Sequence, residues 1–453
     1  MRNASISLVI TCFFAMVMLL PSGLFSQNNS TKNDSTKQQT DTYKKRVLET
    51  TEVDFLTSFY SQDGSNAAVT GGIGTEQLTD ATGTFVISIP LSADEVLKID
   101  AGISAYTSAS SSNINPFDGG RQPDAFVASS GESRSDLWYN LTASYSHYSD
   151  DRNSIWSAKA SFSNEFDYSS IGFGGSFTRL FNKKNTEIGL SANVYLDTWK
   201  RIYPVELGLP SEEDDEDFNI NNFTITGAPY NPQVSPLPTA SRNSYSGGLT
   251  FSQVLSRKMQ GSLALDAIAQ EGNLSTPFQR VYFADKANSY IQGFHLADDI
   301  ERLPSTRLKV AIGGRLNYYI NENVVARTFY RYYFDDWGIT SHTASVELPV
   351  KLGSSWTIYP AYRFYNQTAA DYFAPYDEHL STSMFYTSDY DLSQYTANQY
   401  SLGFTYKDIF AKGHIWRLGI KSISLNYYYY QRNTGLTAHL ISGGIKFVLD
   451  KKK

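Results

Sequence analysis

Charged residues recur at alternate positions in several stretches of this 453-residue chain that otherwise alternate apolar and polar side chains. Side chains two positions apart lie on the same face of a β-strand, so the charges of each stretch would share one face of a sheet. The basic set comprises Arg307, Lys309, Arg315, Arg327, Arg331 and Arg363, with Glu347 beside it, and the acidic set comprises Glu165, Asp167, Glu187, Asp197 and Asp266.

Two charged faces of opposite sign could act on solutes if they lined a water-filled interior. A basic wall across from an acidic wall sets up a transverse field, which orients dipolar solutes and selects among ions. The alternative is that Glu347 and its basic neighbours form a ladder of salt bridges that only neutralises the charges of the interior. The sequence leaves both interpretations open.

Catalytic motifs are absent from the sequence. It has neither a phosphate-binding glycine loop nor an H-E-x-x-H pair, and its six histidines are scattered over separate segments. A lipid hydrolase built on a barrel needs Ser and His on adjacent strands, for which His147, Ser341 and His342 are the candidates. They are explained more simply as polar residues at strand ends. We therefore expect no enzymatic activity, no cofactor and no resident metal.

An acidic run, Glu212 to Asp217, lies within a long predicted loop. Closely spaced carboxylates are hard oxygen ligands that could collect Ca²⁺. The run lacks the glycine-spaced D-x-D-x-D-G pattern of a calcium loop, so we interpret it as a solvated loop tip.

The charged stretches belong to a repeating pattern that runs through most of the chain. In one of them, residues 308, 310, 312, 314, 316 and 318 are mainly apolar, whereas residues 307, 309, 311, 313, 315 and 317 include Arg307, Lys309 and Arg315. Sixteen such stretches predict sixteen strands: 51–61, 80–92, 95–107, 136–149, 154–167, 169–181, 186–199, 243–255, 258–271, 304–319, 324–336, 340–352, 355–367, 396–408, 415–432 and 435–449.

The joints between these strands are sorted by length. Every joint after an even-numbered strand is short, and all the long joints follow odd-numbered strands: 62–79, 108–135, 200–242, 272–303 and 368–395. Short periplasmic turns and long extracellular loops are typical of transmembrane β-barrels, in which apolar residues face lipid and polar residues face the lumen. The sequence thus predicts an all-β, antiparallel, up-and-down barrel of about sixteen strands. The aromatic loop 368–395 could cap or constrict it, or simply extend the strands.

The N-terminus indicates export. Arg2 precedes an apolar run from Leu8 to Leu20, which is too short for a spanning helix and typical of a secretory signal peptide over residues 1–26. Residues 27–50 are predicted to be a polar periplasmic lead-in, with a short helix over 40–50, and residues 51–453 the barrel. The single cysteine, Cys12, lies in the signal peptide, so the mature chain would lack disulfides and thiolate chemistry.

The amino-acid composition limits the kinds of molecule that this chain is expected to contact. A formal net charge of −7 argues against nucleic acid as a ligand, and 32 Tyr with 27 Phe suit aromatic girdles at two membrane interfaces. We expect contact with lipid and lipopolysaccharide in the outer membrane of a Gram-negative cell. The last strand, with apolar residues at alternate positions and Phe447 near its end, is similar to the signal read by the barrel-insertion machinery.

Four segments carry a family resemblance. They are residues 100–110 (DAGISAYTSAS), 302–304 (RLP), 335–342 (DDWGITSH) and 359–367 (YPAYRFYNQ). The chain resembles the domain of unknown function 3570 family, a group of uncharacterised outer-membrane proteins. The resemblance implies a β-barrel of unknown activity and, through neighbouring genes, a possible periplasmic lipoprotein partner.

The functional expectation is a porin-like channel for small hydrophilic solutes, since a barrel of about sixteen strands encloses an aqueous lumen unless loops plug it. One alternative is a closed structural or secretion-associated barrel that acts through a partner protein. A lipid hydrolase is the other.

Overall fold

The computed structural model describes residues 44–108, 136–210 and 220–449. The predicted signal peptide, most of the lead-in, the acidic run Glu212 to Asp217 and the lysine tail lie outside the described residues. Over 44–50 the chain forms bends, so the short helix expected there is wrong for those residues. In the described part of the chain, no helix has both the length and the apolar character needed to cross a membrane.

Sixteen antiparallel strands form the barrel, as the sequence predicts. They are β1 (Glu52–Asp63), β2 (Leu78–Pro90), β3 (Glu95–Ser108), β4 (Asp136–Tyr148), β5 (Ser154–Asn164), β6 (Tyr168–Phe181), β7 (Thr186–Trp199), β8 (Ser241–Ser256), β9 (Met259–Gly272), β10 (Thr306–Tyr319), β11 (Val325–Asp335), β12 (Thr340–Glu347), β13 (Trp356–Gln367), β14 (Tyr395–Lys407), β15 (Leu418–Arg432) and β16 (Thr437–Leu449). Two short pieces, Val350–Leu352 and His414–Ile415, join the same sheet.

The barrel closes where the first strand meets the last. β1 pairs with β2 along one edge and with β16 along the other, both antiparallel. Val53 of β1 lies opposite Ile87 and Phe447, and these side chains form a buried apolar cluster with Phe85. Because no strand edge is left open, every strand has its backbone hydrogen bonds satisfied by two neighbours.

Two strands end at least three residues earlier than expected. β12 stops at Glu347, before Leu348 and Pro349, because proline has no backbone N–H to donate to the ladder. β5 ends at Asn164, so Glu165 and Asp167 belong to the tight turn before β6 and not to the strand predicted over 154–167.

The outer face of the barrel is apolar and exposed. On β10, Leu308, Ile312, Leu316 and Tyr318 are 51%, 49%, 40% and 46% exposed. The strand pairings show that Leu190, Leu263 and Ile441, on other strands, lie on the same face, and these side chains are also exposed. An exposed apolar surface of this extent requires lipid around it, so these strands cross a membrane.

Aromatic side chains gather near the end of the barrel that carries the short turns, here called the short-turn end; the opposite end is called the long-loop end. The exposed members are Trp156, Tyr318, Tyr319, Trp356, Phe410 and Trp416. A ring with a polar tip is suited to the boundary between lipid and water, so this belt marks one membrane interface.

The assignment of the two faces predicts different costs for arginine at neighbouring positions of β10. Arginine at Ile312 would place a charge in lipid and should destabilise the barrel by ~2–4 kcal/mol near the midplane. Ala311→Arg points into the lumen and should cost much less. Urea unfolding of the two variants in vesicles measures the difference, and equal costs would contradict the assignment.

Candidate functional site

The strand register places most of the predicted charged residues on the inner face. On β10, β11 and β13, the inner positions hold Arg307, Lys309, Arg315, Arg327, Arg331 and Arg363, and Glu347 occupies one on β12. Glu187 and Asp197 on β7 and Asp266 on β9 lie on the same face. Glu165 and Asp167 lie at the long-loop end, in the turn after β5.

Some of the basic residues are paired with carboxylates, and others are not. Arg307 forms an ion pair with Asp335 (Nη2 to Oδ2, 2.5 Å) and stacks on Trp337. Arg327 pairs with Glu347 (Nη1 to Oε1, 2.7 Å). Within the described residues, Arg331 and Arg363 form no ion pair. The salt-bridge ladder therefore contains Arg327 and Glu347 but does not extend to the two arginines nearer the long-loop end.

Three of the predicted acidic residues, in β7 and in the turn between β5 and β6, accept hydrogen bonds from neutral side chains. Tyr106 Oη donates to Glu165 (2.6 Å), Trp199 Nε1 donates to Asp167 (3.1 Å), and Tyr168 donates to Asp197. These three carboxylates sit at the long-loop end, away from the basic strands. Asp266 departs from the expected opposition of charges, because β9 lies directly beside the basic strand β10.

A charged network at the short-turn end was not anticipated from the sequence. Glu52 accepts ion pairs from Lys421 (2.6 Å) and Lys446 (2.8 Å), and Lys446 also lies 3.5 Å from Asp54. The signal for it was present, since Glu52, Asp54 and Lys446 share the inner parity of β1 and β16. The network ties the first strand to the last two across the closing seam.

The residues before β1 also attach to the short-turn end. Lys44 Nζ contacts Asp94 (2.5 Å) and Asp150 (2.7 Å), and Val47 N donates to Ala93 O (3.0 Å). Since Asp94 follows β2 and Asp150 follows β4, the end of the lead-in runs along the rim formed by those short turns.

Loops at the long-loop end fold into one packed unit, here called the cap. It consists of residues 64–77, 200–210, 220–240, 273–305 and 368–394. Its interior contains fully or almost fully buried side chains from four of these segments, among them Tyr203, Leu207, Leu237, Tyr282, Ile291, Phe294, Ile300 and Tyr386. The aromatic loop 368–394 is thus part of a cap and not a simple extension of the strands.

The cap extends across the mouth of the barrel. The loop after β1 meets the loop after β9, and these strands lie on opposite sides of a sixteen-stranded ring. Arg280 Nη1 donates to Val69 O (3.2 Å), and Gly71, with φ of +78°, lies so close to the Tyr282 ring that a Cβ would come within 2.7 Å of it. Strands about 4.8 Å apart and tilted make a sixteen-stranded barrel roughly 30 Å wide, so these contacts span its opening.

A buried ion pair lies at the centre of the cap. Arg280 donates from Nε to Glu206 Oε1 (2.6 Å) and from Nη2 to Oε2 (3.2 Å), and both side chains are fully buried. The guanidinium also stacks on Phe294. The pair joins the loops after β7 and β9, and Arg280 adds the loop after β1 through its bond to Val69 O. The planar guanidinium of arginine can bind a carboxylate through two parallel hydrogen bonds.

Two further acids are buried in the cap. Burial raises the pKa of Glu301 to about 7, although Thr387 Oγ1 and Thr276 N donate to its carboxylate. Burial, followed by the nearby Asp391 and Glu301, raises the pKa of Asp389 to about 7. Both groups hold their protons more firmly than they would in water.

The cap is fixed to the barrel wall on the side of β13 and β15. Arg432 pairs with Asp391 (2.6 Å), and Gln367 Nε2 donates to Asp391 O (2.9 Å) and Ser393 O (2.6 Å). Asn66 Nδ2 donates to Thr434 O (2.9 Å). The contacts of Asp391 and Ser393 anchor the loop 368–394 above the inner face, and that of Asn66 anchors the loop 64–77.

A pocket of about 220 Å³ opens on the inner face at the level where these anchors join the wall. Its lining comprises Arg331, Arg363, Tyr365, Tyr395, Ala397, Gln399 and Tyr430. Only the two arginines were singled out from the sequence. The other members share their inner parity, and that shared parity was the available signal.

The catalytic candidates do not form a common site. Ser341 lies on the inner face and is buried, whereas its neighbour His342 points outward and accepts or donates a hydrogen bond with Tyr330 Oη (2.7 Å from Nδ1). His147 is also on the outer face, 3.7 Å from Glu95. No group of three or more His, Cys, Asp or Glu side chains in the described ranges is arranged to hold a metal ion.

A closed sixteen-stranded barrel, apolar outside and charged inside, is the architecture of outer-membrane β-barrel proteins. More specifically, the chain belongs to the family described as "Protein of unknown function (DUF3570)", whose model matches residues 12–449. The resemblance inferred from the four sequence segments is confirmed. No curated protein matches the chain by sequence.

Several solved outer-membrane proteins are similar in architecture. A bacterial polysaccharide outer membrane secretin aligns with 88% of this chain and 99% of its own, at 10% identity and a TM-score of 0.43. A Pseudomonas aeruginosa FadL homologue aligns with 89% and 91%, at 9% identity and 0.40. Pseudomonas aeruginosa OccK1 (OpdK) aligns with 89% and 99%, at 9% identity and 0.35.

The buried ion pair predicts a local effect of its disruption. Glu206→Gln leaves the Arg280 charge buried without its partner, which should cost the cap about 3–5 kcal/mol. Hydrogen exchange of cap amides should then accelerate about a hundredfold or more, while exchange in the barrel strands stays unchanged. The double variant Glu206→Leu with Arg280→Met is the control, because it removes both charges and should restore most of the protection. Unchanged exchange in Glu206→Gln would contradict the role given to the pair.

The raised pKa of Glu301 predicts a dependence of cap opening on pH. When the cap opens, the pKa of Glu301 falls from about 7 towards its ordinary value of 4.5. Between these values the open state releases the proton first, so rising pH favours opening, by roughly 3 kcal/mol in all at about 1.4 kcal/mol per pKa unit. Burial lowers the pKa of His295 and of His379, which acts in the opposite direction on the acid side.

Comparison with Glu301→Gln isolates the acid from the histidines. Relative to this variant, the native cap should lose hydrogen-exchange protection as the pH rises from about 4.5 to 7, and change no further above that. A difference between the two proteins that stays constant across this range would show that Glu301 does not titrate in the cap.

Proposed function

We propose that this protein is an outer-membrane channel for small hydrophilic solutes, with the cap restricting passage at the long-loop end. The supporting observation is the inner face of the closed barrel, which carries charged and polar side chains around its circumference. Charges on that face need water, and a barrel of sixteen strands encloses enough space for an aqueous lumen. The protein would reach the outer membrane after export directed by residues 1–26, and would be inserted by the barrel-insertion machinery.

The distribution of charge supports a preference for anions near the cap. Arg331 and Arg363 have no carboxylate partner among the described residues, whereas Arg307 and Arg327 are neutralised by Asp335 and Glu347. A cationic patch beside a low-dielectric wall raises the local concentration of anions. Solutes entering from the short-turn end would meet this patch immediately before the cap.

The second candidate is a closed barrel that acts through a partner, and the cap is the observation that favours it. Loops that bury a salt bridge and several large apolar side chains are more ordered than the mobile outer loops of an open pore. A periplasmic lipoprotein would then bind at the short-turn end. A lipid hydrolase has the least support, since Ser341 and His342 point to opposite faces, and we propose that the protein is not an enzyme.

Conductance in a planar bilayer tests the channel. The native protein should give small steps, and Glu206→Gln should give larger or longer ones because its cap opens more readily. In a salt gradient, Arg331→Gln with Arg363→Gln should shift the reversal potential toward cation preference. Arg327→Gln should change stability little, because its pair with Glu347 is largely exposed.

The absence of current through the folded protein would contradict the proposed channel function. If the native protein and Glu206→Gln both keep the heat-modifiable gel mobility of a folded barrel but pass no current, the closed barrel with a partner is the better description. If the double variant of Arg331 and Arg363 kept the ion selectivity of the native protein, these two residues would not determine which ions pass.

A further inference from the structure

The pocket beneath the cap is built from two adjacent rows of inner-face residues. The strand register aligns Arg331, Thr343, Tyr365, Ala397 and Arg432 in one row on β11 to β15. The next row toward the short-turn end contains Arg363, Gln399 and Tyr430. Arg331 and Arg363 are separated by a single strand and one row, so their Cα atoms lie roughly 12 Å apart, and both side chains reach the pocket.

Charge in this region is unbalanced. Three carboxylates on this side of the barrel are each paired with a different cation: Glu347 with Arg327, Asp335 with Arg307, and Asp391 with Arg432. Two guanidinium groups therefore line one small pocket without a counter-charge in the described part of the chain. Arginine stays protonated in proteins, so the missing partner is an anion.

Unsatisfied polar atoms point to the same conclusion. Nε of Arg331 and Oγ1 of Thr343 are buried and have no hydrogen-bond partner among the described residues. Thr343 lies directly opposite Arg331 across the β11 and β12 ladder and is 2% exposed. Buried donors without acceptors are costly, and an anion in the pocket would supply acceptors to the guanidinium of Arg331, which lines it.

The rest of the pocket is aromatic and held in place. Tyr365 Oη donates to Gln367 Oε1 (2.6 Å), and its ring lies 5.5 Å from that of Tyr395. Arg432 stacks on Tyr395 (4.4 Å) and donates from Nε to the Tyr430 hydroxyl (2.9 Å). The Tyr365 hydroxyl is engaged as a donor, whereas Tyr430 Oη accepts from Arg432 and keeps its own proton to donate. The lining residues thus offer ring faces together with the Gln399 amide and the hydroxyls of Tyr395 and Tyr430.

We infer that this pocket binds a small organic anion, with its carboxylate between Arg331 and Arg363 and a flat ring against Tyr365, Tyr395 and Tyr430. Its volume of about 220 Å³ corresponds to roughly seven water molecules, which is the size of a single-ring compound. The inference deepens the proposed channel by naming a class of solute, and it rests on that function only for the claim that the anion is in transit.

Equilibrium binding tests the site independently of conduction. Calorimetry on the detergent-solubilised full chain should detect saturable binding of 4-hydroxybenzoate. The neutral 4-hydroxybenzamide should bind about tenfold more weakly or worse, since it loses the charge-assisted bonds. Cyclohexanecarboxylate should bind about threefold more weakly, because it keeps the charge but loses the flat ring.

Matched variants locate the binding. Arg331→Gln and Arg363→Gln should each weaken 4-hydroxybenzoate about tenfold, and Arg363→Lys should fall between Arg363→Gln and the native protein, because lysine keeps the charge without the fork. Lys159→Gln is the control: it removes one cation from the inner face of β5, where Lys159 contacts Tyr195 outside the pocket, and should leave affinity unchanged. Heat-modifiable gel mobility confirms that each variant is folded.

The outcomes separate the site from the channel. Binding that follows this pattern in a protein without conductance supports the site and refutes transit. Conductance without saturable binding overturns the site and leaves the channel. An equal loss in Lys159→Gln, or equal affinity for sulfate, would reduce the effect to general electrostatics and overturn the organic-anion assignment.

Discussion

The constraint on which this structure depends is the pairing of every backbone amide within lipid. A strand that crosses a membrane has no water to satisfy its N–H and C=O groups, so the sheet must close on itself, and the pairing of β1 with β16 completes that closure. Once the sheet is closed, alternate side chains are divided between lipid and lumen, and connections are divided between two ends. The apolar exterior, the charged interior and the sorting of loops by length all follow from this.

Both ends of the barrel contain ion pairs, but these differ in their exposure to water and in their effect on stability. At the short-turn end, Glu52, Lys421 and Lys446 are partly exposed and join strands that are already neighbours. In the cap, Arg280 and Glu206 are completely removed from water and join the loops after β7 and β9, while Arg280 also donates to Val69 O in the loop after β1 on the opposite wall. An exposed pair adds little to stability, whereas a buried pair is costly to break, so the ionic contacts of the cap determine its geometry far more strictly.

Periodicity explains both what could be predicted from the sequence and what could not. The alternation on β10 identified its two faces, the alternating stretches gave the number of strands, and the sorting of loop lengths supported that number. The alternation of side chains does not show where a strand ends. Glu165 and Asp167 were therefore predicted to be strand residues, although Asn164 is the last residue of β5. Parity alone also could not separate Arg327, which has Glu347 as a partner, from Arg331, which has none among the described residues. The cap had no periodic signal at all: Val69 and Arg280 meet across 211 positions of sequence, and only the unusual aromatic content of residues 368–395 hinted at it.

The contact between Val69 and Arg280 also constrains the order of assembly. The strands that carry these two loops are on opposite walls, so their loops cannot be held together until the ring of strands has formed. The entropic cost of closing so long a stretch of chain falls on the barrel, and the cap folds afterwards from loops whose ends are already fixed. The contact that spans the mouth is therefore a late one, whereas contacts such as that of Arg280 with Glu206 join loops of nearby strands and do not depend on closure of the ring.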